Sequence, residues 1–204
     1  MTGRRVPPGR AGRLWLTGRL AAARRGAEVL DRKLQILRLE QQRLHRAVVA
    51  SGQEWAACCA DANTWLLRAA LLSGQRGLQD AAADGVADVT LTWQVRAGVR
   101  YPAAADCVLP GPPAAGRAPG SSAVVHAETA HRAALVAAVR HATAQAAARI
   151  LDAEVAVTRQ RLRALTDRVI PDTEERLRLL VLDLEQSDHE DALRRRWAAE
   201  RSRR

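Results

Sequence analysis

The chain lacks phenylalanine altogether and has one tyrosine and five tryptophans in 204 residues, so aromatics make up only 3%. A compact globule of that length buries several rings, and their scarcity argues against a single thick core. Cysteine is nearly as rare. Cys58, Cys59 and Cys107 form no disulfide framework, because adjacent cysteines rarely bridge each other, and a reducing interior is the expected compartment. Lys33 is the only lysine among 32 basic residues. An arginine bias of that kind follows a GC-rich genome, so an arginine here is not by itself a ligand. No apolar run is long enough to span a bilayer. The start "MTGRRVPPGRAGRLWL" is basic, but its apolar stretch is too short for a signal peptide.

Catalytic signatures are missing too. No G-x-x-x-x-G-K-[ST] occurs and the lone lysine does not follow a glycine, which excludes a standard phosphate-binding loop. Gly111, Gly116 and Gly120 mark a turn-rich loop. No HExxH or CxxC is present, and His126, His131 and His141 are not spaced to stack on one helix face. Asp183, Glu185, Asp188, Glu190 and Asp191 form a run rather than a converging pair. That run suits a solvated face, or a partner for Arg10 and Arg13. The chain therefore reads as non-catalytic, with no cofactor and no metal.

What is abundant is Ala, Leu, Val and Arg, the palette of long helices. Alternating steps of four and three from Leu16 give Leu16, Leu20, Leu30, Leu34, Leu37, Leu44, Val48, Trp55, Cys58, Trp65 and Leu72, with Ala23, Ala27, Ala62 and Ala69 between them. Only Gln41 and Ser51 interrupt this seam. A mean step of 3.5 is the signature of a left-handed coiled coil, on the order of 85–90 Å long here. A second seam runs from Ala127 through His141, Leu151, Val155, Leu162 and Leu165 to Val169. It then slips, continuing at Thr173, Leu177, Leu180 and Leu184 after consecutive steps of four. That is a stutter, and Pro171 inside it predicts a kink.

The two seams have nearly equal length. An antiparallel hairpin pairs positions whose numbers total about 199, such as Leu72 with Ala127, Leu44 with Val155 and Leu16 with Leu184. Between the arms, "VADVTLTWQVRAGVRYP" alternates Val89, Leu91, Trp93 and Val95 with polar residues, which predicts a half-buried strand. Gly98 predicts a bulge or turn, with a short continuation from Val99. Ser121 or Ser122 can cap the second arm. The expected architecture is mainly α: a long antiparallel left-handed coiled-coil hairpin with a small β-hairpin insertion. Its boundaries are a tail at 1–10, a first arm at 11–75, the β-hairpin and Pro/Gly-rich loop at 76–120, a second arm at 121–200, and a basic tail at 201–204.

The net charge of +10 is uneven. Residues 1–50 hold 12 basic and 3 acidic side chains, whereas residues 151–204 hold 12 of each. Arg4, Arg5, Arg10 and Arg13 would meet Arg194, Arg195, Arg196 and Trp197 at the open tip. Such a tip suits an acidic protein partner or, as the alternative reading, a nucleic-acid-binding arm.

Three blocks, in order, resemble the D subunit of the V/A-type ATPases. They are "VPPGRAGRLWLTGRLAAARRGAEVLDRKLQIL", "VTLTWQVRAGVRYP" and "RQRLRALTDRVIPDTEERLRLLVLDLEQSDHED". Ala164, Leu165, Ile170 and Pro171 of the third block fall at the family's spacing. Arg163 and Thr166 depart from the family's usual Asn and Glu, and Pro8 from its Thr. The resemblance implies the central rotor stalk of a bacterial V/A-type ATPase or ATP synthase, cytoplasmic and peripheral to the cell membrane. It implies that the terminal end enters the ring of catalytic and regulatory subunits. The closed end would hold the small F subunit of the central stalk and seat in the socket subunit on the membrane rotor ring. It implies no direct nucleic-acid contact and no membrane insertion. Trp93, Gly98 and Val99 would couple the β-hairpin to partners rather than to the stability of the arms.

Overall fold

The computed structural model describes residues 6–81, 85–111 and 121–201. Residues 1–5, 82–84, 112–120 and 202–204 lie outside it, so nothing structural attaches to Arg4, Arg5, Gly116, Gly120 or the extreme basic tail. The order of elements is α1 (Gly9–Asp80), β1 (Asp88–Arg96), β2 (Val99–Val108), α2 (Ser122–Ala164), a π-helical turn (Leu165–Val169) and α3 (Ile170–Arg201). The chain is mainly helical, with two long helical arms flanking a two-stranded antiparallel sheet. It divides into two compact units: residues 1–34 with 156–204, and residues 35–155.

In the first unit, Leu16, Leu20, Ala27 and Leu34 of α1 are buried, and Leu30 is half-buried. Opposite them Thr158 and Thr173 are buried, while Leu162, Leu165 and Val169 are half-buried. The ion pairs across the arms follow an antiparallel order. Arg24 Nη2 meets Glu174 at 2.7 Å, and Arg10 meets Asp188 at 3.6 Å. The chain passes Pro171 without leaving the helix. The π turn ends on an Ile170 N–H bonded to Leu165 O, a spacing of five residues.

The second unit holds the largest buried cluster: Leu37 and Leu44 of α1, Ala147, Ala148 and Leu151 of α2, and Val99 and Tyr101 of β2. Val48 and Val155 pack at its edge. Leu44 thus centres on Ala147–Leu151 rather than on Val155, about one helical turn from the expected register. A seam repeats every turn, so it fixes which face is buried without fixing which turn faces which. Near the closed end Ser73 Oγ and Ser121 Oγ meet at 2.8 Å.

Two expected seam residues are not in the core. Leu72 is 70% exposed, because α1 breaks at Gly74 (φ 63°, ψ −174°) and the last buried residue before the break is Ala69. Beyond the break, Leu78 and Ala81 fold onto a cluster of Ala69, Ala123, Val124 and Ala127, beside half-buried Trp65. Trp55 is 40% exposed and stacks on His141, with ring centroids 5.5 Å apart. The arms are close there: a Cβ on Gly52 would lie 3.1 Å from the His141 ring. That leaves no room for an indole between them.

The hairpin turn is Ala97–Gly98, both with positive φ (48° and 79°), the signature of a type I′ turn. A register shift between Thr92 and Trp93 leaves Ala103 unpaired and places Pro102, which has no N–H to give the ladder, at the irregularity.

Candidate functional site

The second unit brings the hairpin, the helical arms and most of the named chemistry together. Tyr101 is fully buried, and its hydroxyl donates to Glu40 Oε1 at 2.7 Å. Arg43, one turn along α1, donates to the same oxygen through Nε at 2.8 Å and Nη2 at 2.5 Å. Glu40 is itself buried. The Arg43 hydrogen bond pulls the Glu40 carboxyl below its usual range, against the opposing effect of burial, and Tyr101 adds to the pull. Burial, then the bond to Glu40, pushes the Tyr101 phenol up. The result is a charged latch that ties the first residues of β2 to α1. A lone tyrosine two residues past the strand's Gly-Val carried no pattern that would have flagged it in the sequence.

Val99 and Tyr101 therefore belong to the core, which corrects the expectation that this segment bears on partners alone. The expectation of a half-buried β1 fails in the opposite sense. Val89, Leu91, Trp93 and Val95 share one face and are all exposed, Trp93 by 45%. β2 supplies the strand residues of the buried cluster, whereas the apolar row of β1 stays at the surface. Arg100 lies over the Trp93 ring at 4.8 Å.

A second apolar surface lies at the closed end. Leu67, Leu71 and Leu72 are exposed by 67%, 87% and 70% beside the buried Ala69 cluster. Leu66, Leu78 and His131 line a shallow depression there.

In the first unit, Arg10, Arg13, Leu14, Val181, Leu184, Glu185 and Asp188 line an open groove between the arms. Arg194 pairs with Glu190 and Asp191 on its own helix, and Arg195 donates to the Asp191 carbonyl. Arg196 and Trp197 are exposed. No group of three or more His, Cys, Asp or Glu among the described residues could hold a metal ion. No helix among them is long and apolar enough to cross a membrane.

A family model described as the D subunit of ATP synthase matches residues 14–200, nearly the whole chain. The chain belongs to the ATP synthase D-subunit family. That is the V/A-type ATPase D-subunit family, whose members are structural stalk subunits of a rotary ATPase. No curated protein matches the chain. As a D subunit, it works within a membrane-associated ATPase complex.

Proposed function

We propose that this D subunit is the rotating central stalk, carrying torque between the ATP-hydrolysing or ATP-synthesising ring and the membrane ion-translocating ring. The observation that carries the reading is the pair of apolar surfaces left open on the second unit. A folded segment that buries Ala69, Ala123, Val124 and Ala127 yet leaves Leu67, Leu71 and Leu72 in water carries a surface meant for another subunit. In this reading that end seats in the socket subunit on the membrane rotor ring. The row Val89, Leu91, Trp93 and Val95 receives the small F subunit of the stalk, with Gly98 and Val99 holding the strand at its angle. The tip bearing Arg10, Arg13, Arg194, Arg195, Arg196 and Trp197 turns inside the ring of catalytic and regulatory subunits. Pro171 bends the second arm where it meets that ring. The protein sits on the cytoplasmic side, peripheral to the membrane, and contributes no catalytic group of its own.

The nucleic-acid reading loses force from the ion pairs. Arg10 and Arg24 face Asp188 and Glu174 across the arms, and Arg140 faces Glu54, rather than forming an unbroken basic stripe. The direct test is rotation. With the catalytic ring fixed to a surface and a bead on the stalk, ATP should drive stepwise turning in one direction. A ring that hydrolyses ATP while the bead stays still overturns the proposal.

A further inference from the structure

The π turn and Pro171 stand next to each other in the second arm, and the geometry around them gives each a reason. A Cβ on Gly26 would lie 3.7 Å from Leu165, and one on Gly12 would lie 3.1 Å from Leu180. Leu165 and Leu180 therefore both face α1, the first opening the π turn and the second lying beyond it. Between these two contacts α1 advances 14 residues, whereas the second arm advances 15. The second arm has one residue more than its partner over the same stretch.

A plain α-helix cannot absorb that residue. Three consecutive steps of four, from Leu165 to Leu177, rotate the seam about 120° past alignment at roughly 100° per residue. Looping one residue out within the turn removes about 100° of that drift. Thr173 is accordingly buried, its hydroxyl donating to Val169 O at 2.6 Å, and Leu177 stays half-buried. The π turn is what keeps the lower seam facing α1.

Pro171 closes both ways out of this arrangement. If the turn tightened to α, the proline ring would meet the Asp167 carbonyl four residues back. If the turn moved toward the C-terminus, residue 171 would have to pass on a hydrogen bond through an N–H it does not have. We propose that Pro171 is a lock that holds a one-residue register insertion at Leu165–Val169, so the two arms keep one fixed phase. This is a conformational device of the fold and does not depend on the stalk reading.

The experiment is a set of deletions in the full chain, followed by thermal melting. Deleting Thr166 removes the extra residue and restores steps of three and four, but leaves Pro171 inside an α-helix. It should lower Tm by about 6–12 °C. Deleting Thr166 together with Pro171→Ala should bring Tm back to within about 3 °C of the parent, because seam and backbone then agree. Deleting Arg178, which misphases Leu180 and Leu184 with no turn to absorb it, should lower Tm in a way that Pro171→Ala does not repair. The proposal is overturned if deletion of Thr166 alone is neutral. It also falls if the double variant melts as low as the single deletion, or if Pro171→Ala rescues both deletions alike. Should the Thr166 deletion fail to fold, the double variant and the Arg178 pair still decide between these outcomes.

Discussion

One oxygen of Glu40 receives hydrogen bonds from Tyr101 and Arg43, and that convergence decides how the hairpin is held. A neutral phenol alone would tolerate a carbonyl as its acceptor. A buried carboxylate needs a cation as well, and Arg43 supplies it without leaving α1. Tyr101→Phe removes a bond to a charged acceptor and should cost about 1.5–3 kcal/mol. Tyr101→Ala also opens a cavity in the main cluster and should cost about 3–5 kcal/mol. Denaturant melts of the full chain measure both. The latch also sets a pH window. Glu40 has its pKa depressed from 4.5, so its stabilisation is present above that value and is lost as pH falls through the lower folded value. Tyr101 has its pKa raised from 10.0, so its share is present below pH 10 and is lost as pH rises through the folded value. Glu40→Gln should flatten the acid limb of the stability profile and shrink the alkaline limb to the part that burial of the Tyr101 phenol supplies. An acid limb that remains unchanged in Glu40→Gln would assign the acid loss to other carboxylates. Asp152 is one of these. Burial pushes its carboxyl up, but hydrogen bonds from Gln41 and His45 outweigh that and hold it below its usual range.

Gly74 does for α1 what the latch does for β2. Its φ of 63° with ψ near 180° is a conformation that a side chain rarely adopts, and no atom stands where its Cβ would go. The cost of Gly74→Ala is therefore backbone strain alone, about 1–3 kcal/mol. The chain can escape that strain by continuing α1 straight, since alanine favours helix. That would pull Leu78 and Ala81 off the Ala69 cluster. A cysteine at Leu78 should then react with a bulky maleimide several-fold faster in Gly74→Ala than in the parent, and an unchanged rate would show the bend to be held by packing. The helical arms were legible in the sequence because periodicity is a statement about faces, and faces survive any neighbour. Leu16, Leu37, Leu44 and Leu151 were readable on that ground. What a seam leaves open is everything that depends on a particular partner. The register lies about a turn away, Leu72 falls just short of the break at Gly74 and outside the core, and β1, patterned as half-buried, has its apolar row uncovered. The latch was invisible for a related reason: Glu40 and Tyr101 lie far apart in sequence, and neither belongs to a motif. The stutter, by contrast, was plain in the spacing of Val169, Thr173 and Leu177, and the structure supplies its physical form as a π turn.

For the molecule as a whole, the question is whether surfaces that cost nothing to change in the isolated chain govern its assembly. Leu71 and Leu72 are 87% and 70% exposed, so replacing both with serine should move the stability of the isolated chain by no more than about 0.5 kcal/mol per site. If the closed end seats in another subunit, each leucine loses a desolvated contact there. A loss above about 1.4 kcal/mol from the pair weakens assembly tenfold or more. The basic tip should behave in the opposite way. Arg194 is paired within its own helix and exposed, and contacts of that kind are worth about 0–1 kcal/mol. A rotating contact must not hold one position more tightly than the next two, so single Arg→Ala changes at Arg194, Arg195 or Arg196 should alter turnover less than about two-fold. A nucleic-acid arm reverses both expectations: the leucines would be silent, and each arginine would lower the salt slope of binding by about one. Measuring assembly and turnover for the leucine pair beside each arginine variant, in one reconstituted ATPase, separates the two. Assembly that tolerates Leu71→Ser with Leu72→Ser would remove the closed end from the interface. Turnover that collapses on one arginine would place a fixed contact where a turning stalk needs a shallow one.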